Sequence, residues 1–191
     1  MTVIKDILKE NKRLYRISKI ISELSQDIEI PVFLVGGCVR DLLLEPEKNS
    51  VDIDIMVEGD GIEFANALAK KLKVSTVVPF PKFATALIPY KECQIEVASA
   101  RLESYDPKSR NPKDIIMTDI NEDLQRRDFT VNAMAISLQK DNMGTLIDPF
   151  DGFKDLNAKV LRTPMNDADV TFSDDPLRMI RAAYFSAKLD M

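Results

Sequence analysis

No histidine occurs anywhere in this sequence, and its only two cysteines, Cys38 and Cys93, lie far apart. Imidazole acid–base chemistry, histidine-dependent triads and Cys/His zinc sites are therefore excluded by inventory. Any metal has to be held by carboxylates, which favours hard cations such as magnesium. Also missing is an apolar run near the ~20 residues that a membrane-spanning helix needs. The opening stretch MTVIKDILKENKR lacks the apolar core and small-residue cleavage site of a secretory signal, so a cytoplasmic location with no membrane contact is expected by default. A basic surplus is absent too. At a net charge of −5 the chain as a whole is poorly suited to grip nucleic acid, and any RNA contact must use local basic clusters.

What is present suits one substantial core. With 191 residues, 45% hydrophobic and 30% charged, the chain reads as one full domain plus a short extension. Ile4, Ile7, Leu8, Leu14, Ile17, Ile20, Ile21 and Leu24 recur by threes and fours and predict an amphipathic packing helix over 2–25. Val32 to Val35, then Gly36-Gly37, then Val39 to Leu44 read as strand, tight turn and helix. Val51 to Val57 alternates as a half-buried strand, with Val51, Ile53, Ile55 and Val57 on one face and Asp52, Asp54 and Met56 on the other.

A helical period returns over Gly61 to Leu72. Phe83 to Ile88 and Cys93 to Ala98 form a hairpin across Pro89-Tyr90-Lys91-Glu92. Arg101 to Asp119 is polar, contains Pro107 and Pro112, and is expected to be a loop; loops of that length are usually functional or disordered. Asn121 to Ala135 has helical spacing, and Ile136–Leu138 with Thr145–Ile147 flank a turn at Asn142-Met143-Gly144. Ser173-Asp174-Asp175-Pro176 predicts a helix start, capped by Ser173 or Asp174 and leading into Leu177 to Lys188. The fold class is thus α+β, a mixed αβ domain with an antiparallel portion.

Asp52 and Asp54 stand two apart on one strand, so both carboxylates project from the same face. Such a pair suits two divalent ions in phosphoryl transfer, although alone it is more often the solvated face of an amphipathic strand. Gly36-Gly37 between strand and helix alters that balance. Glycine lets phosphate oxygens approach the backbone amides, the helix start contributes positive dipole, and Arg40 can fork onto a phosphate. Glu96 either completes a carboxylate triad with Asp52 and Asp54 or is a solvated strand glutamate. Of Arg126, Arg127 and Asp128, one arginine can reach phosphate while the other pairs with a carboxylate; the alternative is a surface salt-bridge cluster. Asn132 can bond backbone or a ribose hydroxyl. Asp175, Arg178 and Arg181 recur every three residues on one helical face, which either closes over a nucleotide or faces solvent.

Taken together, Gly36-Gly37-Cys38-Val39-Arg40-Asp41, Val51-Asp52-Ile53-Asp54, the run from Asp123 through Arg126-Arg127-Asp128-Phe129-Thr130-Val131-Asn132 to Ala135, and Asp175 to Arg181 resemble the bacterial tRNA nucleotidyltransferase and poly(A) polymerase family, in order, over residues 31 to 185. The resemblance implies a polymerase-β-like head with a small five-stranded mixed sheet at 31–162, preceded by a packing helix at 1–30 and followed by the start of a helical neck at 163–191. It implies that Asp52 and Asp54 hold magnesium, two ions being expected, while Gly37, Arg40 and Arg127 contact incoming ATP or CTP. From the residues themselves, Glu96 is added as a catalytic carboxylate, and Gly36, Asp128 and Asn132 are added to the nucleotide site. Arg181 would touch the same nucleotide from the neck helix, and the helical spacing sets Asp175 and Arg178 on its face as further nucleotide-binding candidates. The stretch Arg101 to Asp119 matches a flexible region tied to switching from C to A addition. The implied reaction is CMP and AMP transfer to the tRNA 3′ end. Alternatives are A-only, C-only or poly(A) addition with the same head, or a non-catalytic nucleotide- or RNA-binding fragment. Two departures stand out. Tyr184 occupies a position where the family usually has a second neck arginine, and the Glu-Asp-x-x-Arg motif that selects the base, like the body and tail that hold tRNA, is expected beyond Met191.

Overall fold

The computed structural model describes residues 4–48, 52–105, 112–165 and 168–191. The first amphipathic segment is two helices, α1 (Lys5–Glu10) and α2 (Lys12–Ile28), where one was expected. Asn11 divides them. Its Oδ1 accepts from Leu14 N at 2.9 Å, so the side chain replaces a helical backbone partner and starts a new helix. The apolar stripe is nevertheless the one the spacing predicts, with Leu8, Leu14, Ile17, Ile21 and Leu24 all buried.

The strands are β1 (Val32–Val35), β2 (Asp52–Val57), β3 (Val78–Phe80), β4 (Thr85–Tyr90), β5 (Cys93–Ser99), β6 (Arg101–Tyr105), β7 (Pro112–Met117), β8 (Ala135–Ser137) and β9 (Leu146–Ile147). Seven of them form one mixed sheet in the order β3-β4-β5-β2-β1-β8-β9. The β2–β5 pair is parallel and the other pairs are antiparallel. The resemblance implies five strands and the sheet has seven, the short β3 and β9 extending the edges of β4-β5-β2-β1-β8.

The helices are α3 (Gly37–Leu44), α4 (Gly61–Leu72), α5 (Ile120–Gln125), α6 (Gly152–Ala158), α7 (Ala168–Asp174) and α8 (Leu177–Leu189). Asp60 caps α4 by accepting from Ile62 N and Glu63 N, and Asp119 caps α5 by accepting from Asn121 N and Glu122 N. Alternation along β2 sorts its side chains between two cores. Ile53, Ile55 and Val57 join the main core with α2, α3 and α4, whereas Met56 enters a smaller one with Phe33, Val35, Ile120 and Leu124. Asp54 therefore shares the face covered by α5. Val51 lies outside the described residues.

Three further expectations are corrected. Arg101 to Asp119 contains a two-stranded antiparallel ribbon, β6 on β7, so backbone pairing supplies the order that polar composition concealed; residues 106–111 lie outside the description. The helix expected over Asn121 to Ala135 ends at Gln125, and Thr130–Asn132 is a 3₁₀ turn. Tertiary pairing overrides the helical spacing: Thr130 N donates to Arg162 O, and Ala135 is drawn into register with Val35 of β1. Finally, Ser173 and Asp174 belong to the end of α7, and it is Asp175 Oδ1 that accepts from Leu177 N, at 3.0 Å, to start α8.

Candidate active site

The parallel pairing of β2 and β5 sets Asp54 opposite Glu96, and Asp52 opposite Gln94. Neighbouring strands run ~4.8 Å apart, so two carboxylates on one face at the same register repel each other. Asp54 responds accordingly. Burial, reinforced by the charges of Glu96, Asp52 and Asp41 and opposed by Arg127, pushes its carboxyl up to about 6. Asp54 and Glu96 both line a cleft of about 590 Å³, whereas Asp52 is exposed at the head of β2 and borders a neighbouring cleft with Asp41 and Cys38. Burial, with Asp54, Asp41 and Asp52 nearby, pushes the Cys38 thiol up to about 12, which makes it a packing group and no nucleophile.

Gly36 turns β1 into α3 with φ +66° and ψ −134°, a conformation that L side chains rarely adopt. A Cβ there would meet Arg127 Nη1 at 2.9 Å and Asp54 Oδ2 at 3.8 Å. The turn is thus the point where helix α3, the β2 carboxylate and an arginine converge. Backbone amides at the start of α3 have no helical partner and, with the helix dipole, favour an anion.

Six arginines and one lysine line the cleft against four carboxylates, a local positive surplus in a chain whose net charge is −5. Most of these cations are held in place. Arg40 is 2% exposed; its Nη1 donates to Asn132 Oδ1 at 2.6 Å, and its Nε and Nη2 reach Asp41 Oδ1. Sequence reading sent Arg40 to a phosphate, and the structure finds it engaged by Asp41 and Asn132. Asn132 Nδ2 donates in turn to Asp128 Oδ1 at 3.1 Å, and Asp128 Oδ2 accepts from Arg181 Nε at 2.7 Å. Asp128, expected beside its neighbouring arginines, thereby joins the 126–132 segment to α8. Arg178 Nη2 donates to Arg126 O at 2.8 Å, a second tie across the same junction. Asp175, Arg178 and Arg181 all border the cleft, as their three-residue spacing predicts, and so does Tyr184, 56% exposed.

Two residues escaped the sequence reading. Asp123, fully buried, accepts from both Arg126 and Arg127; its spacing of three and four residues before them was the available signal. Phe185 carries no signal that separates it from any core phenylalanine. It packs edge-on against Phe129, with the Arg40 and Arg181 guanidinium carbons 5.2 and 5.0 Å from its ring centre. A separate cavity of about 430 Å³ beside Thr130 is lined by Asp155 and Arg162, which pair with each other, and it lies apart from this chemistry.

Among the described residues no group of three or more His, Cys, Asp or Glu side chains is arranged to hold a metal ion. Likewise, no helix among them is long and apolar enough to cross a membrane.

The family described as poly A polymerase head domain matches residues 32–162. An A-adding tRNA nucleotidyltransferase of Aquifex aeolicus is 44% identical over 158 residues, which is 83% of this chain and 18% of that protein. A CCA-adding enzyme of Oceanobacillus iheyensis is 37% identical across 82% of this chain and 36% of its own length. A CC-adding tRNA nucleotidyltransferase of Deinococcus radiodurans is 35% identical across 83% and 41% respectively. Among solved structures, a CCA-adding enzyme in its apo form II superposes with a TM-score of 0.86 at 38% identity, covering 100% of this chain and 45% of that one. A tRNA nucleotidyltransferase complexed with a primer tRNA and an incoming ATP analog gives 0.76 at 39% identity, covering 90% and 45%. The chain spans less than half the length of each of these proteins.

Proposed function

Because the chain belongs to the poly A polymerase head-domain family, we propose that it carries the nucleotidyl-transfer centre of a tRNA nucleotidyltransferase, moving CMP or AMP from CTP or ATP to the 3′ end of tRNA. The observation that carries this reading is the convergence at Gly36 of the Asp54–Glu96 carboxylate pair, the start of α3 and the arginines of the cleft. In this reading the tRNA 3′-hydroxyl attacks the α-phosphate and pyrophosphate leaves.

The amides at the start of α3 from Gly37 onward, with Arg127 above them, receive the triphosphate. Gly36 N already donates to Met134 O at 3.3 Å, and Gly36 serves by its turn. Arg178 and Arg181 approach the same nucleotide from α8, with Asp175 at the head of that helix. Arg40, Asn132 and Asp128 form the bonded floor that fixes Arg181. The donor set is compatible with magnesium: it is all oxygen, and burial and neighbouring carboxylates leave Asp54 short of compensating positive charge. Magnesium is ordinarily bound through one or two carboxylates plus substrate phosphates, so a larger cage is not required. Two ions on Asp52 and Asp54, beside Glu96, would supply Lewis-acid polarisation of the phosphoryl oxygens and activation of the attacking hydroxyl.

A second, narrower reading is addition of A alone, favoured by the higher identity to an A-adding enzyme than to the CCA- and CC-adding ones. Three tRNAs, ending before CCA, after C and after CC, each supplied with CTP or ATP, separate the two. Full CCA addition extends all three; A addition extends only the last, and only with ATP. In either case Asp54→Ala is expected to abolish incorporation. Unchanged incorporation by that variant at saturating magnesium would overturn the assignment, and ATP binding without any incorporation would identify a binding module instead.

A further inference from the structure

Asp123 itself does not line the cleft, yet it holds two of the cleft's arginines, one of them the Arg127 expected to meet the triphosphate. Its Oδ1 accepts from Arg126 Nε at 3.0 Å and Nη2 at 2.5 Å, and its Oδ2 accepts from Arg127 Nε at 3.2 Å and Nη2 at 3.1 Å. The carboxylate is fully buried and both oxygens are used, so the plane of each guanidinium is set by one side chain. For Arg127 the consequence is directional. With Nε and Nη2 turned back to Asp123, Nη1 donates to Asn132 O at 3.4 Å and lies over Gly36, on the side of Asp54.

We propose that Asp123 is a positioning residue for triphosphate recognition: it anchors Arg127 by two donors so that the third points at the helix start where the phosphates bind. An arginine left to itself samples many rotamers, and ordering it on binding costs free energy that a preformed fork has already met. Arg126 is oriented by the other oxygen and tied to Arg101 O at 2.8 Å, and this fixes the carboxylate from the opposite side. The inference rests on the functional reading above, and it concerns ground-state geometry at the phosphates and not the chemical step.

The test compares binding of ATP, ADP and AMP to the full chain and to Asp123→Asn, with Asp155→Asn as a matched control. Asp155 is another buried carboxylate paired with an arginine, 3% exposed and outside the cleft. Loss of the charged fork is expected to weaken ATP by about tenfold or more while AMP changes little, because Arg127 is then no longer held toward the outer phosphates. The KM for nucleotide should rise more than kcat falls. Asp155→Asn should lower the melting temperature and leave the ATP-to-AMP ratio alone. Should Asp123→Asn fail to fold, Asp123→Glu keeps the charge but shifts both forks, and a reduced ATP-to-AMP ratio is expected from it as well. A wild-type ratio in a folded Asp123 variant overturns this inference while leaving the nucleotidyl-transfer reading intact. A parent chain that binds none of the three nucleotides overturns both.

Discussion

Asp54 sits at about 6 in the folded chain against an ordinary 3.8, first because it is buried and then because Glu96, Asp52 and Asp41 surround it. Folding therefore favours its protonated form. The stabilising contribution is complete below 3.8 and disappears as the pH rises through about 6, above which the ionised carboxylate strains the fold. Removing the charge should then help, provided that no cation is available to neutralise it. With a chelator present, Asp54→Asn is expected to be more stable than the parent by roughly 2–3 kcal/mol near pH 8 and equal to it near pH 3.5, as measured by urea unfolding. Added magnesium should narrow the gap by stabilising only the parent. A difference that is the same at both pH values would show that packing, and not ionisation, distinguishes the two. The same negative surroundings that destabilise Asp54 are what a cation would bind to, so strain and function have one source here.

At the scale of elements, what could be read in advance was whatever local chemistry decides. The Val32–Val35 strand, the Gly36 turn and the alternation of Ile53, Ile55 and Val57 all follow from side-chain size and period, and they place Asp54 correctly. What could not be read depends on partners far along the chain. Residues 126–135 have helical spacing, yet Arg162 O claims the Thr130 amide and β1 claims Ala135, so helix gives way to a 3₁₀ turn and a strand. Ribbon β6–β7 forms by pairing across residues whose polar composition reads as loop. The glycine that locks the 3₁₀ turn gave no advance sign either. A Cβ on Gly152 would lie 2.1 Å from Thr130 O, so α6 can approach the 130–132 turn only without a side chain at that point. Gly152→Ala should push the helix away and destabilise the chain by about 1–3 kcal/mol, seen as a lower urea midpoint. Asn132 lies on that turn and bonds Arg40, so nucleotide affinity should fall with it. Full affinity in a destabilised variant would mean that the turn tolerates displacement without disturbing the floor of the cleft.

On the scale of the whole molecule two charges compete. The chain carries −5 overall, which repels a triphosphate at a distance, while the cleft carries more cations than carboxylates, which attracts it at contact. Magnitudes decide between them. A pair of unit charges ~4 Å apart near a protein surface interacts by about 4 kcal/mol, whereas at ~20 Å in water the figure is roughly 0.2 kcal/mol. Contact with the arginines should therefore dominate affinity, and the net charge should matter only for the rate of approach. Salt tests the sign directly. Between about 0.05 M and 0.5 M KCl the screening length shrinks from over ~10 Å to under ~5 Å, so ATP affinity is expected to fall by about tenfold while adenosine is almost unaffected. If the overall −5 governed binding instead, salt would tighten ATP by screening the repulsion. A rising affinity would mean that Arg40, Arg126, Arg127 and Arg181 are so fully matched by Asp41, Asp123 and Asp128 that the cleft presents no effective positive charge to a ligand.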